Sequence, residues 1–227
     1  MQKPLTVPLA ISLAFLVLTV AGCRADGDQR TGDSAGQTPQ ATEEPPSPDA
    51  EAAVLWPAPT DPLERTVAAG LEPEPKEFLT NHVHAHLDVF LNGEPIAVPA
   101  GIGINIDDPE VQEFNEPDGS ISYGGITRCS KPCISPLHTH DGTGILHTES
   151  ATPEPNTLGQ FFIEWGVRLS DSCVGEYCGP EPIEVYVDGQ PYTQDPQAIK
   201  LTDRKQIAIV IGTPPAEIPE TADFSNA

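Results

Sequence analysis

From His82 to Phe90 the chain alternates without a break. Val83, Ala85, Leu87 and Val89 fall on one side of an extended backbone, and His82, His84, His86, Asp88 and Phe90 on the other. Successive side chains of a strand point to opposite faces, so this period of two predicts a strand with its apolar face in a core. Asn92-Gly93 follows at once. That dipeptide suits the two positive-φ positions of a tight turn and is the strongest short hairpin signal. A second strand is expected over Pro95 to Val98, so a sheet stands at the centre of any fold this chain adopts.

The remaining elements are read in the same way. Leu63 to Gly70 suggests a short helical turn. After a loop carrying Cys129 and Cys133, Leu137 to His140 and Gly144 to Glu149 read as extended, separated by Asp141-Gly142. Thr157 suits a helix N-cap, and Leu158, Phe161, Phe162, Trp165 and Leu169 recur at helical spacing. That spacing assigns Phe161, Phe162 and Trp165 to core packing rather than to a ligand pocket. Ile183 to Val187 reads as a strand, Asp188-Gly189 as a turn, and Gln206 to Ile211 as a last strand of buried type. Hairpin, insertion, helix, then two strands gives an α+β expectation. It is a β-grasp-like small mixed sheet with one packed helix, a histidine-rich insertion and two disulfides.

The ends of the chain are of a different kind. Lys3, an apolar run from Leu5 to Val20 and the small residues Ala21-Gly22 have the three parts of a signal peptide over residues 1–22. Cys23 follows directly, and Val20-Ala21-Gly22-Cys23 resembles the bacterial lipobox. That resemblance implies a lipoprotein whose first mature residue, Cys23, carries acyl chains such as palmitate. Two chains suffice for stable anchoring. The expected location is the extracytoplasmic face of a bacterial membrane, in the cell envelope. Residues 23–54 are acidic and rich in Pro, Gly, Ser and Thr, and are read as a disordered tether. The folded domain is expected over 55–215 and a flexible tail over 216–227.

Thirty-four acidic residues against eleven basic ones leave a net charge of −23. Such a surface repels nucleic acid and anionic head groups, so contact with the membrane is expected through the anchor only. It attracts cations. Besides Cys23 there are two close cysteine pairs, Cys129/Cys133 and Cys173/Cys178. In an oxidising compartment an even number reads as two disulfides, local pairing being the simplest connectivity and cross-pairing an alternative. A four-cysteine zinc site is the rival reading.

All six histidines lie in three short motifs: His82-Val83-His84-Ala85-His86, His138-Thr139-His140-Asp141 and His147-Thr148-Glu149. On a strand, residues two apart share a face about 6.6 Å apart, close enough for two imidazoles to converge on one ion. His82 and His86 would be roughly 13 Å apart, so a single ion takes two of the first three histidines at most, together with ligands from elsewhere. Because Val83, Ala85, Leu87 and Val89 supply the core face, these histidines are not needed for packing. His82, His84, His86, His138, His140 and His147 are therefore the candidate metal ligands. Asp141 and Glu149 are candidate oxygen ligands, acceptors for a ring N–H, or general bases.

The only methionine is Met1, which excludes a methionine-rich Cu(I) site. Imidazole with an optional carboxylate suits copper or zinc first, and iron or nickel after them. Ligation needs neutral rings, so affinity is expected to fall as pH drops through about 6.5.

The run from Leu137 to Ser150, followed by Thr157 to Phe162 and Trp165-Gly166, is similar to a group of uncharacterised exported proteins of bacteria and archaea. The resemblance also takes in the upstream H-x-H-x-H strand, Val185 to Gly189 and Gln206 to Gly212, spanning about Asn81 to Pro215. It supports the motif and implies no activity. Cupins are a poor match, because Glu149 comes nine residues after His140.

Three functions follow from the sequence. The first is a metal-binding envelope lipoprotein for acquisition, buffering or delivery. The second is a hydrolytic or oxidative metalloenzyme with Asp141 or Glu149 as base. The third is a metal-free protein-interaction module. No catalytic motif of another kind is present, and no protein partner is indicated.

Overall fold

The computed structural model describes residues 52–180 and 182–225. The signal peptide, Cys23 and the tether up to residue 51 lie outside them. Among the described residues no helix is long and apolar enough to cross a membrane.

The fold is mixed α+β with a mostly β core. In chain order it has α1 (Pro62–Ala68), β1 (Asn81–Leu91), β2 (Glu94–Ile96), β3 (Gln112–Asn115), β4 (Ile121–Gly124), β5 (Leu137–His138) and β6 (Ile145–Ser150). There follow α2 (Leu158–Trp165), β7 (Cys173–Val174), β8 (Tyr177–Cys178), β9 (Ile183–Val187), β10 (Gln190–Tyr192), a 3₁₀ turn (Pro196–Ala198) and β11 (Lys205–Ile211). Seven strands form the main sheet in the order β10-β9-β11-β1-β6-β5, with β2 also on β1. The β1–β11 pair is parallel and the others are antiparallel.

β1 is long enough to serve three partners. β11 pairs along Ala85 to Leu91 on one edge. On the other edge β6 takes Asn81 to His86 and β2 takes Val89 to Leu91. The alternation holds from Ala85 on: Ala85, Leu87 and Val89 are buried, while His84, His86, Asp88 and Phe90 are half-buried; Val83, expected on the core face, is only half-buried. Asn92 and Gly93 both have positive φ, 52° and 90°, and close the β1–β2 hairpin. Asp188 and Gly189, at 51° and 73°, do the same for β9–β10.

α2 covers the sheet. Thr157 caps it through a reciprocal capping box with Gln160, satisfying two backbone donors that a helix start leaves free. Gly166 ends it in the left-handed conformation, φ 76°. Leu158, Phe161, Phe162 and Trp165 are all buried, each contributing about 1.5–3 kcal/mol by leaving water. The Trp165 ring meets Phe162 and Trp56, with centroids 5.5 and 5.8 Å away. Its Nε1–H donates to the Trp56 carbonyl. These aromatics are core.

Four differences from the sequence reading have physical causes. Leu169 is buried but lies beyond α2, because Gly166 stops the helix first. The cysteine loop contains a β3–β4 hairpin whose β3 is exposed at every residue, so it offers no buried face to read. β10 was not expected because it contains Pro191, which an edge strand tolerates. The described residues hold two helices rather than one, since α1 is a full element packed beside α2.

Both disulfides are local, Cys129–Cys133 and Cys173–Cys178. This pairing leaves no thiolate for a four-cysteine zinc site. The first closes a small second core with Ile104, Ile126 and Ile134. The second ties β7 to β8 at a directly opposed pair. Beyond Pro215 the chain makes contacts of its own: the Phe224 ring lies 6.4 Å from His86 and beneath the Arg204 guanidinium.

Candidate metal centre

β6 lies between β1 and β5 and gathers the three histidine motifs. His147 stands opposite His84 on β1 and opposite His138 on β5. Glu149 stands opposite His82. His147 and Glu149 are two apart on one strand and share a face. The outcome is a row, His84–His147–His138, with His82 and Glu149 in the next. His140 lies just past the end of β5, and its ring centroid is 4.5 Å from that of His147.

The geometry of His138 and His140 is specific. His138 Nδ1 is 2.9 Å from the Ser135 carbonyl oxygen, and His140 Nδ1 is 2.5 Å from that of Tyr123. Carbonyl oxygens only accept, so both rings carry their proton on Nδ1 and donate it there. That leaves the Nε2 lone pair of each neutral ring free, and the two Nε2 atoms are 3.2 Å apart. Two lone pairs so close repel unless a cation lies between them. A tetrahedral ion with bonds of 2.0–2.1 Å holds its nitrogen ligands about 3.3 Å apart. Anchoring the far nitrogen of each ring on backbone is how metal-binding histidines are oriented.

His147 and Glu149 complete the group. Donor atoms of His138, His140, His147 and Glu149 all lie within 4.8 Å of one another, as do those of His82, His84 and Glu149. Both groups could hold a metal ion, and Glu149 belongs to both. Its Oε1 is 3.2 Å from His82 Nε2 and 3.6 Å from His147 Nδ1, the second being longer than a hydrogen bond. A third acidic group, Asp108 and Glu110 with Cys129, offers no thiolate because Cys129 is bridged.

The site is deeply placed. His138 is wholly buried, and His147 and Glu149 nearly so. His84 Nε2 and His147 Nδ1 are buried with no hydrogen-bond partner among the described residues, and such groups cost about 1–3 kcal/mol each when nothing satisfies them. Burial, then the neighbouring His147 and His82, pushes His84 down to about 4. Burial also drives His138 well below its ordinary value and lowers His140, in both cases with neighbouring histidines adding to it. Burial alone would raise Glu149, but His147, His138 and His140 hold it down at about 2. Glu149 is therefore a carboxylate, and His84, His138 and His140 are held toward the neutral form that a metal ligand requires.

His86 and Asp141 are not brought to the centre. His86 Nε2 lies 2.8 Å from the Thr143 carbonyl oxygen and its Nδ1 3.5 Å from Asp88. Burial opposes its charge, but Asp88, Thr143 and Gln206 raise its pKa on balance. Asp141 accepts from the backbone N–H and hydroxyl of Thr143, closing its own turn.

Three carboxyl and hydroxyl groups were missed by the sequence reading. Glu77 Oε1 lies 3.9 Å from His140 Nε2. Ser135 donates to the buried Glu164 of α2 at 2.6 Å while its carbonyl holds His138. Burial raises Glu164 to about 8. Glu77 sits in a Pro- and Glu-rich stretch without periodicity, which carries no signal for a ligand. Glu164 interrupts the apolar face of α2, and a charged residue at a core position of a helix is a readable anomaly. A cleft of about 830 Å³ opens beside His140, lined by Glu77, Tyr123 and Asp141 and by Glu116 and Asp118 of the β3–β4 turn.

No family model, no curated protein and no solved structure matches this chain.

Proposed function

We propose that this chain is a lipid-anchored envelope protein that binds copper or zinc through His138, His140, His147 and Glu149, for acquisition, buffering or delivery. The observation that carries this reading is the pair of Nε2 lone pairs 3.2 Å apart, each fixed by a backbone carbonyl behind it. Four protein ligands fill a tetrahedral shell, which favours holding an ion over activating a water. The net charge of −23 and the acidic lining of the cleft draw cations toward His140.

The anchor rests on the lipobox-like Val20-Ala21-Gly22-Cys23, and places the domain on the outer face of a bacterial membrane. The resemblance to exported histidine-rich proteins points the same way. We read the architecture as β-grasp-like, since a β1–β2 hairpin, a helix, a β9–β10 hairpin and a final β11 parallel to β1 follow that order.

The metalloenzyme reading draws on one observation, the cleft beside His140 and Glu77. The interaction-module reading is disfavoured by imidazoles turned toward one another and buried.

Elemental mass spectrometry of the exported, untagged chain tests the proposal beside a His138→Ala/His140→Ala variant. Near-stoichiometric copper or zinc, lost in the variant, is expected. A chain that stays empty and rejects added metal overturns it. Cys23→Ala should release the protein from the membrane fraction, and retention there would sink the lipid anchor.

A further inference from the structure

We infer that the centre holds two metal ions rather than one, with an outer position formed by His82, His84 and Glu149. The inference rests on the metal-binding reading and deepens it. An ion with bonds of 2.0–2.1 Å keeps its ligand atoms within about 4.2 Å of one another. The row His84–His147–His138 crosses three strands. Among the described residues no group of donor atoms within 4.8 Å of one another joins a β1 histidine to His138 or His140. The donor atoms divide accordingly into two groups with Glu149 in common.

Each half shows a need for its own cation. On the β5 side the two Nε2 atoms of His138 and His140 face each other. On the β1 side His84 Nε2 is buried with no hydrogen-bond partner among the described residues, and His84 falls outside the group around His138 and His140. His82 Nε2 lies 3.2 Å from Glu149 Oε1, which brings an imidazole and the shared carboxylate together. A carboxylate between two dications lessens their repulsion, and Glu149 Oε1 faces both sides, 3.2 Å from His82 and 3.6 Å from His147.

The two positions differ in kind. The inner one has four protein ligands, of which His138, His147 and Glu149 are buried. The outer one has three, leaving a coordination place open, and the His82 side chain is 42 % exposed. The outer ion, with a coordination place open, is the more exchangeable of the two and the place where water or a small anionic ligand binds.

The test is zinc stoichiometry of the full chain, titrated in excess magnesium to suppress loose binding to the acidic surface, for wild type and His82→Ala. His82 is exposed, so its loss leaves the fold intact. Two zinc ions in wild type and one in the variant are expected. One ion in both overturns the outer position and leaves the inner one standing. Two ions in both overturn its assignment to His82. No ion in either overturns the inference together with the metal-binding reading beneath it.

Discussion

β11 and β6 flank β1 on opposite edges and are buried almost equally, yet they are made of opposite chemistry. In β11 the buried residues from Ile207 to Ile211 are all aliphatic. In β6 all six residues are buried, and four of them are His147, Thr148, Glu149 and Ser150. Aliphatic burial stabilises a fold unaided, whereas a buried imidazole or carboxylate stabilises it only once a partner is present. The difference teaches that one side of the sheet holds the domain together while the other is built for a ligand. The sharpest break of this comparison is a pair of truncations in chelator-treated protein. Ile209→Ala should cost about 2–5 kcal/mol in urea unfolding, as large-to-small core changes do. His147→Ala should cost clearly less, because it also removes a buried nitrogen without a partner. Equal losses would mean that β6 is ordinary core.

Metal should close the gap between the two sides. A ligand at a hundred times its dissociation constant stabilises by about 2.7 kcal/mol. For a domain of this size that corresponds to a rise in Tm of roughly 5–10 °C. Zinc or copper should give such a rise in wild type and in Ile209→Ala, measured relative to each metal-free form. His138→Ala/His140→Ala should show none. A rise that survives in that double variant would place the ion elsewhere.

The two sides were also unequally legible in the sequence. The core side follows from patterns that physics makes local: the alternation of Val83 to Val89, the Asn92-Gly93 turn and the Thr157 cap. Elements without a buried face, such as β3, left no pattern. At the site, strand spacing excluded a single ion on both His82 and His86 but not which histidine stands apart. That is decided by register. Pairing with β6 sets His84 against His147 and His82 against Glu149, while His86 faces Ile145. Register is a long-range property, and so is the approach of Glu77 from a separate loop.

Acidification should separate the sides by a smaller amount. In the metal-free fold His84 is lowered to about 4, and His138 and His140 are lowered as well. An unfolded histidine titrates near 6.5, so below that pH the unfolded chain binds more protons. These three groups therefore withdraw stability as pH falls from 6.5 toward 4. Glu149, held to about 2, withdraws more below about 4.5. Glu164, raised to about 8, acts the other way, withdrawing stability as pH rises from 4.5 to 8. Glu74, Glu77 and His86, also raised, act with Glu164. The histidine share is read as a difference: between about pH 6.5 and 4.5 the metal-free wild type should lose more Tm than His84→Gln. The same profile in both would mean that His84 is not held neutral.

The smallest effect belongs to the element both sides share. α2 packs its aromatic face on the core, and its Glu164 reaches Ser135, whose carbonyl orients His138. Thr157→Ala removes one half of the capping box and should cost about 1 kcal/mol. Such a loss is spread over the whole fold. It should lower the urea midpoint with and without metal alike and leave zinc stoichiometry unchanged. Glu164→Ala is the informative counterpart, because it takes away the partner of Ser135 rather than a cap. If the helix positions His138, Glu164→Ala should weaken zinc binding by more than Thr157→Ala at equal loss of stability. If both weaken it alike, the site senses only the general stability of the fold, and the division between a holding side and a binding side ends at β6.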